Sequence, residues 1–312
     1  MLKGDQVGKL EELRARRSGE ISTEGIDALL NSWNNTSKSL TTFTDFYPMR
    51  AVTLLEVFTR NWLGKLVDHG APFLERAAKL MEKSSPKLDF PIALALQGKR
   101  FSLGDLVAHS VPLNQFEQHN FSFSVLLGED LLHLVKGTSD RLRVELKGEA
   151  PTPIIADPKK LRSALVRLFQ VRHIVTHEAP ARPVYSLDDV ESFLTAASQF
   201  ARAVQQFLMT LVYGKYPITP QDMAVAAMAA KDAADAELAQ LIGALQQTVD
   251  STALSSSQAA WEKHREEQAR LRSHHLLGGS MWPVIYIQEL TRLTTARIAE
   301  LRWWLDREEG EL

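Results

Sequence analysis

Apolar residues recur at helical spacing along most of the chain, and the punctuation between them reads as helix ends. After Pro48, the residues Ala51, Leu54, Leu55, Phe58, Trp62, Leu63 and Leu66 fall on one helical face, and His69-Gly70 follows as a stop signal. A second helix is predicted from Pro72 to Lys83, closed by Ser84-Ser85-Pro86. The apolar segment Leu88–Gly98 reads as helical, because nothing nearby supplies an alternating strand partner. Ser102 is placed to cap a helix running to about His109. Phe121–Val135 has a helical pattern again, and Gly137–Pro153 is a charged excursion in which Arg143–Leu146 is readable as a short strand.

Asp157-Pro158 is a helix start, since Asp can cap and proline fits the first helical position. That helix carries Leu161, Leu165, Leu168, Phe169 and Val171 and continues to His177, with Pro180 and Pro183 beyond it. Ser186 then caps a long helix over Leu187–Tyr213. Tyr216-Pro-Ile-Thr-Pro220 brackets a capping threonine between two prolines and marks the main boundary. Beyond it an Ala-rich helix is expected over Gln221–Val249. A capping box at Ser255 and Gln258 suggests a helix through Arg272, and after Gly278-Gly279-Ser280 comes a last helix over Pro283–Trp304. The fold class expected is all-α: a helical bundle over 41–216 followed by a small helical-hairpin domain over 217–312. Residues 1–40 form a polar segment with one short helix near Thr23–Trp33.

Composition narrows the chemistry. The 312 residues exceed the usual span of one domain, and 45% hydrophobic with 24% charged residues is ordinary for a globular protein. With no cysteine, disulfides, thiolate nucleophiles and Cys-ligated zinc are excluded. A net charge of −2 gives no global attraction to nucleic acid, so any RNA contact must come from a local patch. Met1–Glu20 alternates charges without an apolar run, and no stretch is apolar enough to span a membrane. A cytoplasmic protein without membrane contact is expected.

The chemistry-bearing string is Val171-Arg172-His173-Ile174-Val175-Thr176-His177-Glu178, at the carboxyl end of an apolar helix. A histidine can take the proton of a 2′-hydroxyl, and an arginine can hold a phosphate as charge builds on it. The same Arg-x4-His spacing recurs at Arg270 and His275, so spacing alone also fits an ion-paired helix end. His173 and His177 stand i, i+4, as metal-binding pairs do, but Ile174 occupies the position where a zinc-protease motif needs Glu. Phosphate-binding glycine loops and a Gly-x-Ser-x-Gly elbow are absent. Glu56, Asp105, His109 and Glu129 read as solvent-facing or satisfied structural groups, and Trp282, Trp303 and Trp304 as core or inter-helix contacts.

The string resembles the signature of the HEPN superfamily, in which an arginine followed by a polar residue precedes a histidine a few positions on. The resemblance extends upstream through Arg50–Glu56 and Phe101–His109 and covers roughly 40–216. It implies a helical bundle that dimerises to place two Arg/His pairs in one cleft. It also implies metal-independent RNA cleavage, with no cofactor and no metal, often in toxin–antitoxin or phage-defence systems. Carried over by position, Arg172 would bind phosphate, His177 would act as base or acid, His173 would shape the pocket or touch RNA, and Glu178 would orient a histidine.

Ala234-Asp235-Ala-Glu-Leu238, Trp261-Glu-Lys-His-Arg265, Gly278-Gly-Ser-Met281 and Leu290-Thr291 through Arg297 and Leu301 resemble the lysozyme-inhibitor LprI type of domain. The match runs over about 219–305 and implies a protein ligand, or an antitoxin, at the carboxyl-terminal module. Relatives carry paired cysteines, and Glu289 sits about where one of them is expected. Two functional classes therefore stand side by side: a HEPN-type endoribonuclease regulated through its second module, and a non-catalytic binding or regulatory protein with a structural Arg/His pair.

Overall fold

The computed structural model describes residues 8, 11–12, 22–36, 43–82, 90–98, 100–178, 180 and 182–306. Among them the protein is all-α, with a single isolated bridge, Ser139 to Pro153, as its one extended pairing. The chain divides into two compact units, 1–214 and 215–312.

The first unit contains α1 (Glu24–Asn35), α2 (Phe46–His69), α3 (Phe73–Met81), α4 (Phe90–Gln97), α5 (Leu103–Ser110), α6 (Phe116–Leu127), α7 (Leu131–Val135), α8 (Pro158–His177) and α9 (Leu187–Tyr213). Helix α2 is its hub, packed against α1, α3, α5, α6, α8 and α9. The face predicted for α2 is the buried one: Ala51, Leu55, Trp62, Leu63 and Leu66 are all at 1% exposure or less. These residues meet Phe123 and Leu126 of α6, Leu165 and Leu168 of α8, and Phe193, Phe200 and Val204 of α9 in one continuous core. Burial of such a side chain is worth roughly 1.5–3 kcal/mol, so this face fixes the bundle. Ile26, Leu29 and Trp33 of α1 join the same core. The segment near Thr23 is thereby built into the first unit.

Capping chemistry sets several boundaries. Ser102 and Asp105 form a reciprocal capping box at the start of α5, and Ser186 with Asp189 does the same for α9. Asp157 accepts from the backbone N–H groups of Lys159 and Lys160 ahead of Pro158. Three expectations are corrected. Phe121–Val135 is two helices, because Gly128 adopts φ +83° and ends α6. Residues 142–146 form a π-helical turn, bridged by Arg141 to Glu145, where a short strand was expected. Trp303 and Trp304 are 45% and 42% exposed and so are not core residues, while Trp304 borders Leu245 and Leu254 of neighbouring helices.

The second unit contains α10 (Pro220–Leu245), α11 (Ser251–Ser273) and α12 (Trp282–Asp306). Thr219 caps α10 through the backbone N–H of Asp222. Helix α11 begins four residues before the expected Ser255, since Asp250 accepts from Thr252 and Ala253 and Ser255 turns back onto the Ser251 carbonyl. Helices α10 and α12 pack along their lengths, α11 lies on α12, and Leu238, Leu245, Leu254, Ile298 and Leu301 form the core with Trp261 at its margin. No described helix is long and apolar enough to cross a membrane.

Candidate functional site

Leu161, Leu165, Leu168, Phe169 and Val171 seat α8 on α2, α6 and α9, and this fixes which way its last two turns face. Arg172 is half-buried and lies against α2, where its guanidinium meets the Glu56 carboxylate at 3.8 Å. Glu56 also pairs with Arg60 one turn on, at 3.3 Å. One carboxylate, itself 18% exposed, therefore sits between two arginines and leaves the α2–α8 edge with a surplus positive charge. Glu56 read from the sequence as a solvent-facing or satisfied structural group, and the structure shows it paired with both arginines.

His173 and His177 are exposed on the next face of α8, their ring centroids 4.9 Å apart and tilted at 50°. The helix continues without a break to His177, so the five-residue step from Arg172 turns about 140° around the axis. No hydrogen bond or ring contact joins Arg172 to His177 within the chain. Glu178 is the C-cap residue, exposed, and its carboxylate has no hydrogen-bond or ion-pair partner among the described residues. Thr176 between them donates to the Arg172 carbonyl at 2.6 Å, an internal bond of the helix end.

His173 also borders a surface groove of ≈470 Å³ shared by α8 and the start of α6, where Gln170, Arg167 and Asn114 offer polar groups over Phe116 and Phe169. Beneath this face lies His119, fully buried, which pattern reading passed over. Its Nε2 lies 2.8 Å from the Leu113 carbonyl and its Nδ1 2.8 Å from the Thr59 hydroxyl. A carbonyl can only accept, so Nε2 carries the proton and Nδ1 accepts from Thr59. Burial, reinforced by the nearby Arg60 charge, holds the His119 pKa down to about 4. No group of three or more His, Asp or Glu side chains placed to hold a metal occurs among the described residues.

In the second unit, residues of three of the strings quoted above converge. Asp235 of α10 accepts from Arg265 of α11 at 2.7 Å and from Lys231 at 2.8 Å, and Arg265 also donates to Thr294 of α12 at 2.9 Å. Arg265 stands 5.0 Å from the Trp261 ring centroid. Glu289 pairs with Arg292, which with its neighbours holds its carboxyl below the usual range. Ser273 is buried, and Tyr286 donates to Glu266 across α11 and α12. Residues 216–301 match the family model of the lysozyme inhibitor LprI. The second unit is LprI-like. Three of the matched residues, Asp235, Arg265 and Thr294, form the polar knot that joins the three helices of the LprI-like unit. No curated protein and no solved structure matches the chain.

Proposed function

We propose that the chain is a metal-independent endoribonuclease of HEPN type, working in the cytoplasm as a toxin or phage-defence effector, with a protein ligand acting on it through the LprI-like unit. The observation that supports this reading is the end of α8, where Arg172, His173 and His177 all reach the surface on the last two turns and Arg172 is held in place by Glu56. Arg172 would steady the phosphate as charge develops on its oxygens. His177 would take the proton of the attacking 2′-hydroxyl or return one to the departing 5′-oxygen. Since about 140° separates the two side chains around the helix, two copies facing each other would bring the Arg172 of one toward the His177 of the other. Purified protein incubated with total RNA in EDTA tests this. Cleavage that disappears in Arg172→Ala and His177→Ala supports it, and cleavage unchanged in both overturns it.

A second reading, a non-catalytic binding protein, is favoured by the Arg172–Glu56 pair, which gives the arginine a structural role without RNA, and by the name of the family that 216–301 matches. Under it, neither parent nor variant cleaves RNA, and Arg172→Ala lowers stability.

A further inference from the structure

The LprI-like unit has a surface cavity of ≈370 Å³ where the end of α10 and the start of α11 meet α12. Its wall is apolar: Leu245, Val249, Leu254, Leu301 and the Trp304 indole. Among these stands Arg297, only 7% exposed, whose guanidinium donates to the Ser257 hydroxyl at 2.8 Å and pairs with Glu300 at 2.9 Å. Its Nε is buried with no hydrogen-bond partner. A cation this deeply buried needs an opposite charge, and leaving one of its own donors unmet adds to the cost of burying it. The counter-charge it has is weakly committed, because Glu300 is 61% exposed and reaches back from one turn along the same helix. Asp250, also at the cavity, is occupied by the backbone N–H groups of Thr252 and Ala253 at the start of α11.

We propose that this cavity binds a small amphiphilic carboxylate, its acid on Arg297 in place of Glu300 and its apolar body along Leu245, Leu254, Leu301 and Trp304. A carboxylate matches the planar guanidinium and can engage the donors that Glu300 and Ser257 leave unfilled, while the size of the cavity suits a short acyl chain. An amine would meet Arg297 as a like charge, and a neutral alcohol would leave the arginine as it is. The site is independent of α8 and of whether the chain cuts RNA.

Calorimetric titration of the full chain with octanoate, octylamine and octanol tests this. Octanoate is expected to bind about tenfold or more tightly than either of the others. Glu300→Gln, on the exposed rim, removes the competing carboxylate and is expected to tighten octanoate severalfold. Ala253→Trp, on the exposed face of α11, fills the cavity and is expected to abolish binding. Arg297→Met is expected to bring octanoate down to the level of octanol. The proposal is overturned if none of the three probes binds, if octylamine or octanol binds as well as octanoate, or if Glu300→Gln and Ala253→Trp leave octanoate binding unchanged.

Discussion

Gly104 of α5 packs backbone against backbone on Gly64 of α2: a Cβ built on Gly104 would stand 2.1 Å from the Gly64 carbonyl oxygen. The same Cβ would meet the Asp68 carboxylate at 2.7 Å, and that carboxylate accepts the Gly104 backbone N–H at 2.8 Å. Gly104→Ala must therefore push α5 off α2, at an expected cost of about 3 kcal/mol. Gly64→Ala is the internal control. Its Cβ would come no nearer than 3.4 Å to Gly104, so helix propensity makes it neutral or slightly stabilising. Urea unfolding of both variants measures the contrast, and equal losses would refute the close-contact account.

His119 makes stability depend on acid. It folds neutral with a pKa near 4, against 6.5 when unfolded, so below pH 6.5 the unfolded chain binds a proton that the folded chain refuses. Its contribution is complete above pH 6.5, declines as the pH falls toward 4, and is lost below that, in total about 3 kcal/mol. Denaturation midpoints at several pH values, compared with those of His119→Gln, isolate this slope, which the variant is expected to lack.

If Arg172 holds a phosphate, Glu56 is the group that would compete with it. If α8 binds RNA, Glu56→Gln frees both Arg172 and Arg60, and RNA affinity at low salt is expected to rise by about threefold or more. Arg60→Ala is expected to lower it. Filter binding with a short RNA reads both, and affinities unmoved by either change would argue that this edge is purely structural.

Arg76 of α3 donates to the carbonyls of Leu126 and Leu127 at 3.0 and 2.6 Å and so closes the end of α6 just before Gly128. Arg76→Met keeps the apolar stem and strands those carbonyls, with an expected loss of about 1–2 kcal/mol in thermal or urea unfolding. No loss would mean that water replaces the guanidinium fully.

The elements most legible in the sequence were those governed by neighbours a few residues away. Ser102, Asp157, Ser186 and Thr219 accept backbone N–H groups two or three positions on, so their helices begin where side-chain chemistry says they do. Ser255 has the same local pattern, yet Asp250 upstream caps first and the helix absorbs the serine. Gly128 was equally local but only its left-handed φ shows that it divides α6 from α7. The candidate site was half legible. The i, i+4 spacing of His173 and His177 does put the rings together, whereas the partner of Arg172 lies on α2, far away along the chain, and no spacing rule reaches it. Arg297 stood in a quoted string, but its burial and its cavity were invisible for the same reason: Ser257 and Leu245 come from two other helices.

Asp235 belongs to α10, Arg265 to α11 and Thr294 to α12, so one carboxylate is answerable to the whole second unit. Peeling α10 from α11 breaks the Asp235–Arg265 pair, and peeling α12 away breaks the Thr294 hydroxyl's bonds to both. Local fraying, common in small helical arrays, is thereby suppressed at the centre. The amides around Asp235, Arg265 and Thr294 will exchange with solvent at a common rate, as a single cooperative block that opens all at once.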